Sequence, residues 1–147
     1  MTGAASPQIV SPATSVLSIS GLTTSFLRDR AWNPVVRDVS FEIAPRETVA
    51  VVGESGSGKS VTALSVMRLI PDNGRMEGSI RLDGKELTAL SDNEMRHVRG
   101  NQIAMIFQEP MTCLNPVLTV GFQIVEALLC HKDMTRAEAE AETIRLL

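Results

Sequence analysis

Apolar and polar positions alternate over Val16-Leu17-Ser18-Ile19-Ser20, which predicts a strand with one buried face. Leu22 to Leu27 continues it after Gly21, and residues 28–34 read as a polar loop closed by a proline. Val39, Phe41 and Ile43 alternate with Ser40 and Glu42, a second half-buried strand. Ala44-Pro45-Arg46-Glu47 then turns the chain into Glu47-Thr48-Val49-Ala50-Val51-Val52, a short β-branched strand. From Ser60 to Ile70 the pattern becomes helical, and Pro71 ends it. Ala63, Leu64, Met67 and Ile70 fall on one side of that helix, Val66 and Leu69 on another, which predicts a helix sandwiched between layers. Within Glu77 to Leu87, Ile80 and Leu82 alternate up to Asp83-Gly84, a hairpin signal. Ser91-Asp92-Asn93-Glu94 is a capping box, so a short helix runs through Met95, His97 and Val98, with His97 among charges and solvated. Ile103-Ala104-Met105-Ile106-Phe107 is a continuous apolar run, as in a sheet buried on both faces. Met111 to Pro116 reads as loop. Val120 to about Leu129 follows as a helix with Phe122, Val125 and Leu129 on one stripe. Thr135-Arg136-Ala137-Glu138 opens a last helix with Ala141 and Ile144 on one side.

Composition narrows the picture without deciding it. The 147 residues suffice for one ordinary domain, and 44% hydrophobic with 21% charged is a globular balance. A net charge of −3 and 3% aromatic residues give no basic footprint and no stacking platform, so no nucleic-acid partner is expected. Cys113 and Cys130 lack metal-ligand spacing and read as small apolar fillers in a reducing compartment. No apolar run approaches the roughly 18 residues of a membrane span. Residues 1–14, rich in Ser, Pro, Ala and Thr, read as a disordered tail and not as a signal peptide.

The chemistry concentrates in Gly53-Glu54-Ser55-Gly56-Ser57-Gly58-Lys59-Ser60, which fits the phosphate-binding loop pattern between a strand and a helix. Its three glycines let successive N–H groups turn toward a phosphate, and the helix start, where Val61 follows, adds free N–H groups and a positive dipole end. Lys59 supplies a point charge for β- and γ-phosphates, and the Ser60 hydroxyl is placed to ligate Mg²⁺. Gln108 and Glu109 end the second apolar strand, where open α/β sheets bind ligands.

These residues resemble a known family. Gly53 to Ser60, with Phe107-Gln108-Glu109-Pro110-Met111-Thr112 and Leu114-Asn115-Pro116, is similar to the nucleotide-binding subunit of ABC transporters. Val52 to Leu64 and Met95-Arg96-His97-Val98-Arg99-Gly100 are closer still to its peptide-importer branch, of dipeptide, oligopeptide and glutathione type. The resemblance covers roughly residues 16 to 147 and implies an α/β P-loop NTPase fold. In it an antiparallel β subdomain precedes an incomplete RecA-like core, with residues 15–147 as the N-terminal part of the ATP-binding domain. It implies an ATPase with ATP and Mg²⁺ as cofactors, peripheral on the cytoplasmic face of the membrane. Its partners would be transmembrane permease subunits and a second nucleotide-binding domain, head to tail. By resemblance Gln108 senses the γ-phosphate through Mg²⁺ and contacts the permease. Phe26 falls where the family stacks an aromatic on adenine; Trp32 is the rival, and a core role for Phe26 stays open.

Three departures stand out. Arg46 replaces a usual glycine before the phosphate-loop strand, at a cost of about 1 kcal/mol if that position needs φ > 0. Phe122 stands where relatives often carry glutamate three residues after Thr119, so a reciprocal capping box is lost and the ring is expected to pack. The sequence contains no Leu-Ser-Gly-Gly-Gln-like signature, no apolar strand ending in Asp-Glu and no switch histidine, so hydrolysis by these residues alone is not expected. Two other readings compete: a non-hydrolysing remnant that only pairs with a partner, and a small P-loop kinase, for which no acceptor site or lid cation is visible.

Overall fold

The computed structural model describes residues 15–109 and 113–147. The expected tail, and Pro110 to Thr112 of the resemblance motif, lie outside the described residues. The chain forms two compact units, one running to Leu90 and the other from Ser91.

The first unit is built on an antiparallel sheet of order β2-β1-β3-β4. β1 (Leu17–Arg28) and β2 (Ala31–Ile43) form a long hairpin. The expected polar loop over 28–34 is therefore corrected: only Asp29 and Arg30 turn, with φ of 53° and 62°. Positive φ at both central residues matches the twist of the flanking strands, which lets pairing continue to the tip. Pro34 is tolerated inside β2 because β2 is the edge strand. A bulge interrupts β1 near Gly21, and Gly78 of β3 (Gly74–Leu82) lies against it: a Cβ there would stand 2.6 Å from the Gly21 carbonyl oxygen. Asp83-Gly84 turns the chain into β4 (Lys85–Glu86), as the hairpin signal predicts. Ile19, Leu22, Val36, Ile80, Leu82 and Leu87 are buried in this unit.

Helix α1 (Lys59–Val66) packs on β1 and β2. Thr24 and Ser65, both buried, join them: Thr24 Oγ1 lies 2.8 Å from Ser65 Oγ, which donates to the Val61 carbonyl at 2.7 Å. The helix is covered on one face, by Thr62, Ser65 and Val66, and Ala63 is exposed; among the described residues no second layer sandwiches it. Nor does it reach Ile70. Arg68 takes φ 50°, its N–H donates to Ser65 O and the Leu69 N–H to Leu64 O, the paired bonds of a Schellman stop. The Arg68 guanidinium then donates to the carbonyls of Leu87, at 3.4 Å, and of Leu90.

Two expected strands are not formed. Glu47 to Val52 is irregular, and of Ile103 to Phe107 only Ile103 pairs, in an isolated bridge with Arg99; Val52 and Ile106 are 89% and 92% exposed. A strand exists only with a ladder partner, and no ladder among the described residues includes either segment.

The second unit is helical: α2 (Asp92–Val98), α3 (Val120–His131) and α4 (Arg136–Leu146). Both capping boxes form, Ser91 with Glu94 and Thr135 with Glu138. Met95 and Val98 are buried and His97 is exposed, as the pattern implies. The stripes of α3 and α4 are corrected. α3 buries Val125 and half-buries Ile124 and Leu128, leaving Phe122 and Leu129 more exposed; α4 buries Ala139 and Thr143, leaving Ala141 and Ile144 outside. The two helices pack on each other. Cys113 and Cys130 are exposed thiols, not fillers, because neither stands on a buried face.

Candidate functional site

The phosphate loop leads straight into α1, and glycine geometry shapes it. Gly56 takes φ 81° and Gly58 φ 93°. Gly58 is also crowded, since a Cβ there would stand 3.0 Å from the Val35 carbonyl oxygen of β2. Both the left-handed backbone and the close approach demand glycine. Gly53 has an ordinary φ; what excludes a side chain is Ser57, whose Oγ would lie 2.7 Å from its Cβ. A Ser57 N–H to Glu54 carbonyl bond of 3.2 Å closes the turn around Ser55.

Lys59 folds back over this turn. Its Nζ donates to the carbonyls of Gly53 and Glu54, each at 2.7 Å, and to Ser57 Oγ at 3.3 Å. A cation is thereby fixed above the loop, facing solvent on its open side. Gly58 is the N-cap of α1, no side chain caps the helix, and its first turn holds no acidic residue. The amides at Lys59, Ser60 and Val61 thus begin a helix without a protein acceptor of that kind, the arrangement that binds anions. Ser60 is exposed beside Lys59, a hard oxygen donor of the type Mg²⁺ takes together with phosphate oxygens.

Phe26 lies half-buried in β1, paired with Asn33 of β2 and Gly74 of β3. Trp32 has one ring face taken: the Arg75 guanidinium carbon sits 4.5 Å from its centroid. Arg46 has φ 65°, following Pro45 in a turn closed by a Glu47 N–H to Ala44 carbonyl bond of 3.1 Å. Proline then positive φ is the signature of a type II turn, where glycine is preferred, so the expected strain is present.

Gln108 belongs to the second unit and is exposed at a bend. The loop Asn115 to Thr119 after it is tied by a residue the sequence pattern did not flag. Gln123 accepts from the Asn115 N–H at 2.9 Å and donates to the carbonyls of Asn115, Leu118 and Thr119 at 3.2–3.4 Å. No spacing rule marks such a side chain, because its partners are main-chain atoms of a loop.

Residues 36–146 match the family model described as ABC transporter. The chain is similar to the oligopeptide transport ATP-binding protein AppD of Bacillus subtilis, 50% identical over 134 residues, covering 90% of this chain and 41% of that protein. It is 43% identical over 140 residues to the oligopeptide transport ATP-binding protein OppD of Salmonella typhimurium, covering 95% and 42%. It is 46% identical over 142 residues to the glutathione import ATP-binding protein GsiA of Shigella dysenteriae, covering 92% and 23%. The chain thus spans less than half the length of these relatives. Among solved structures, the dimeric bacterial ABC transporter cassette MJ0796 superposes with a TM-score of 0.71 at 23% identity, over 88% of this chain and 54% of that one. The match extends the same cassette fold to this chain.

Proposed function

This chain belongs to the ABC transporter family, and on that premise we propose that it is the N-terminal part of the ATP-binding subunit of a peptide importer. Residues 15–147 are then the start of its ATP-binding domain, preceded by a tail over 1–14. The observation that carries this is the Lys59 ammonium held over the loop by the Gly53 and Glu54 carbonyls, beside an uncapped helix start. That geometry gathers a fixed cation, a dipole end and turned amides where a triphosphate would sit. Gly53 to Ser60 and Val61 would cradle the phosphates. Ser60 would hold Mg²⁺, which when bound neutralises phosphate charge, and Gln108 would meet the same ion in the assembled domain. Phe26 would stack on adenine, since Trp32 already lies under Arg75. The relatives' printed roles in oligopeptide and glutathione uptake support a peptide-type cargo, permease subunits as partners and a place on the inner face of the membrane. A second cassette, as in the dimeric MJ0796, would complete the site.

Calorimetric titration of the 147-residue chain with ATP tests the reading. Lys59→Ala removes a charge-assisted contact of about 1.5–3 kcal/mol, so affinity is expected to fall about ten- to a hundredfold. Unchanged affinity overturns it. A phosphate-release assay on the same chain is expected to show no turnover, because the 147 residues hold neither the Asp-Glu strand end nor the signature motif that the resemblance assigns to hydrolysis. A rate on the order of 1 s⁻¹ that vanishes in Lys59→Ala would contradict this.

A further inference from the structure

The phosphate-loop pattern ends at Ser60, yet the helix beyond it carries two hydroxyls that act back on the loop. Thr62 Oγ1 donates to the Gly58 carbonyl at 3.0 Å, and the Thr62 N–H donates to the same oxygen at 2.8 Å. Ser65 Oγ donates to the Val61 carbonyl at 2.7 Å and lies 2.8 Å from Thr24 Oγ1 of β1. A serine hydroxyl has one proton, and Ser65 uses it at Val61, so Thr24 is the donor of that pair. Thr24, Thr62 and Ser65 are all buried. Side-chain bonds to the carbonyl four residues back slightly destabilise a helix, and α1 holds two of them within eight residues. Helix stability therefore gives no account of them, but their direction does.

A trans peptide points its C=O and its N–H opposite ways, and no described peptide is cis. The Val61 carbonyl takes the Ser65 hydroxyl, while the N–H of the same peptide, that of Thr62, donates to Gly58. The Gly58 carbonyl takes both Thr62 bonds, so the N–H of its own peptide, that of Lys59, is aimed out of the helix start. Donors thus run in one sense, from Thr24 through Ser65 and the Val61–Thr62 peptide to the Gly58–Lys59 peptide. Hydrogen bonds aligned in a chain polarise one another. On its other side Gly58 is crowded by the Val35 carbonyl of β2. Resting on the reading of the loop as a triphosphate site, we propose that Thr62 is a positioning residue for that site. Its hydroxyl, with the Thr24–Ser65 pair behind it, holds and polarises the Gly58–Lys59 peptide so that the Lys59 N–H meets a phosphate oxygen.

The test is calorimetric titration of the 147-residue chain with inorganic tripolyphosphate, which reports the phosphate loop alone. Thr62→Val removes the hydroxyl and keeps the branched shape, so affinity is expected to fall about three- to tenfold, the worth of one hydrogen bond. Thr62→Ser, which keeps the hydroxyl, is expected to bind as the wild type does. Thr24→Val removes only the first donor of the chain and is expected to weaken binding about twofold. The Lys59 amide proton, followed by NMR, is expected to move downfield on tripolyphosphate binding, and to move less in Thr62→Val. A purely structural role would lower the unfolding temperature and leave affinity and the Lys59 shift unchanged in the folded variant; that result overturns the proposal. A loss of affinity that Thr62→Ser shares also overturns it. If thermal unfolding shows Thr62→Val to have lost the fold, Thr24→Val decides by the same two readouts. If Lys59→Ala abolishes tripolyphosphate binding while Thr62→Val leaves it intact, the phosphate-loop reading survives that failure. Absence of tripolyphosphate binding by the wild-type chain overturns both.

Discussion

Three arginines occupy left-handed backbone; Arg30 sits in the hairpin turn, and the surroundings of the other two give them opposite energetics. Arg46 has φ 65° in a type II turn and is exposed, with nothing described that offsets the strain. Arg68 has φ 50°, but its guanidinium donates to the Leu87 and Leu90 carbonyls. Left-handed conformation costs an L-residue roughly 1–2 kcal/mol, and glycine gives back part of that in unfolded-chain entropy. Arg46→Gly is therefore expected to stabilise the chain by about 0.5–1 kcal/mol. Arg68→Gly is expected to destabilise it by about 1 kcal/mol, because charged hydrogen bonds of about 1.5–3 kcal/mol are lost. Urea midpoints of the two variants, moving in opposite directions, check this pair. Glu86 sets an acid limit. Burial pushes its carboxyl up, but bonds from the Ser79 and Thr88 hydroxyls and the Ile80 and Thr88 amides outweigh that and lower it from 4.5 to about 2. A folded value below the unfolded one makes the ion favour the folded state. That contribution is complete above about pH 4.5 and lost as pH falls toward about 2. Glu86→Gln is expected to flatten this part of the stability–pH curve, read by denaturant titration at successive pH values.

At the scale of elements, the N-terminus of α3 is half capped. Thr119 accepts from the Phe122 N–H at 3.2 Å, but phenylalanine cannot return a bond as Glu94 and Glu138 do in α2 and α4. The ring does not recover the loss by packing, since Phe122 is 37% exposed. Phe122→Glu is expected to complete the box and strengthen the helix by about 0.5–1 kcal/mol, with a further gain from an acid near the dipole's positive end. Circular dichroism of a peptide spanning residues 117–131 measures it; no increase in helicity would refute the capping argument.

For the whole molecule the decisive feature is what the sheets leave unpaired. Val49, Val51, Val52, Ile106 and Phe107 are all exposed, on segments rich in strand-forming residues. Unpaired segments of this composition template pairing with other chains. The chain is expected to associate with rising concentration, and Ile106→Lys to reduce that association, as followed by light scattering. Unchanged scattering in the variant would remove this segment as the cause.

What the residues determined by themselves is what rests on local rules. Positive-φ demand at Gly56 and Gly58, the Asp83-Gly84 turn, both capping boxes and the alternation along β1 and β2 depend on neighbours within a few positions, so they were legible. The phosphate loop was legible for the same reason, its ligand groups being consecutive. Tertiary structure alone decided the rest. Pro34 sits in a strand because β2 lies at an edge, and α1 stops early because Arg68 finds carbonyls nineteen and twenty-two residues away in sequence. The buried faces of α3 and α4 follow from their mutual packing, not from the most apolar stripe of each. The cavity beside Phe26 is invisible in the sequence because it joins β1, β2 and the 71–73 turn. Glu47 to Val52 and Ile103 to Phe107 carry strand composition, yet composition makes a strand only when another strand supplies the hydrogen bonds.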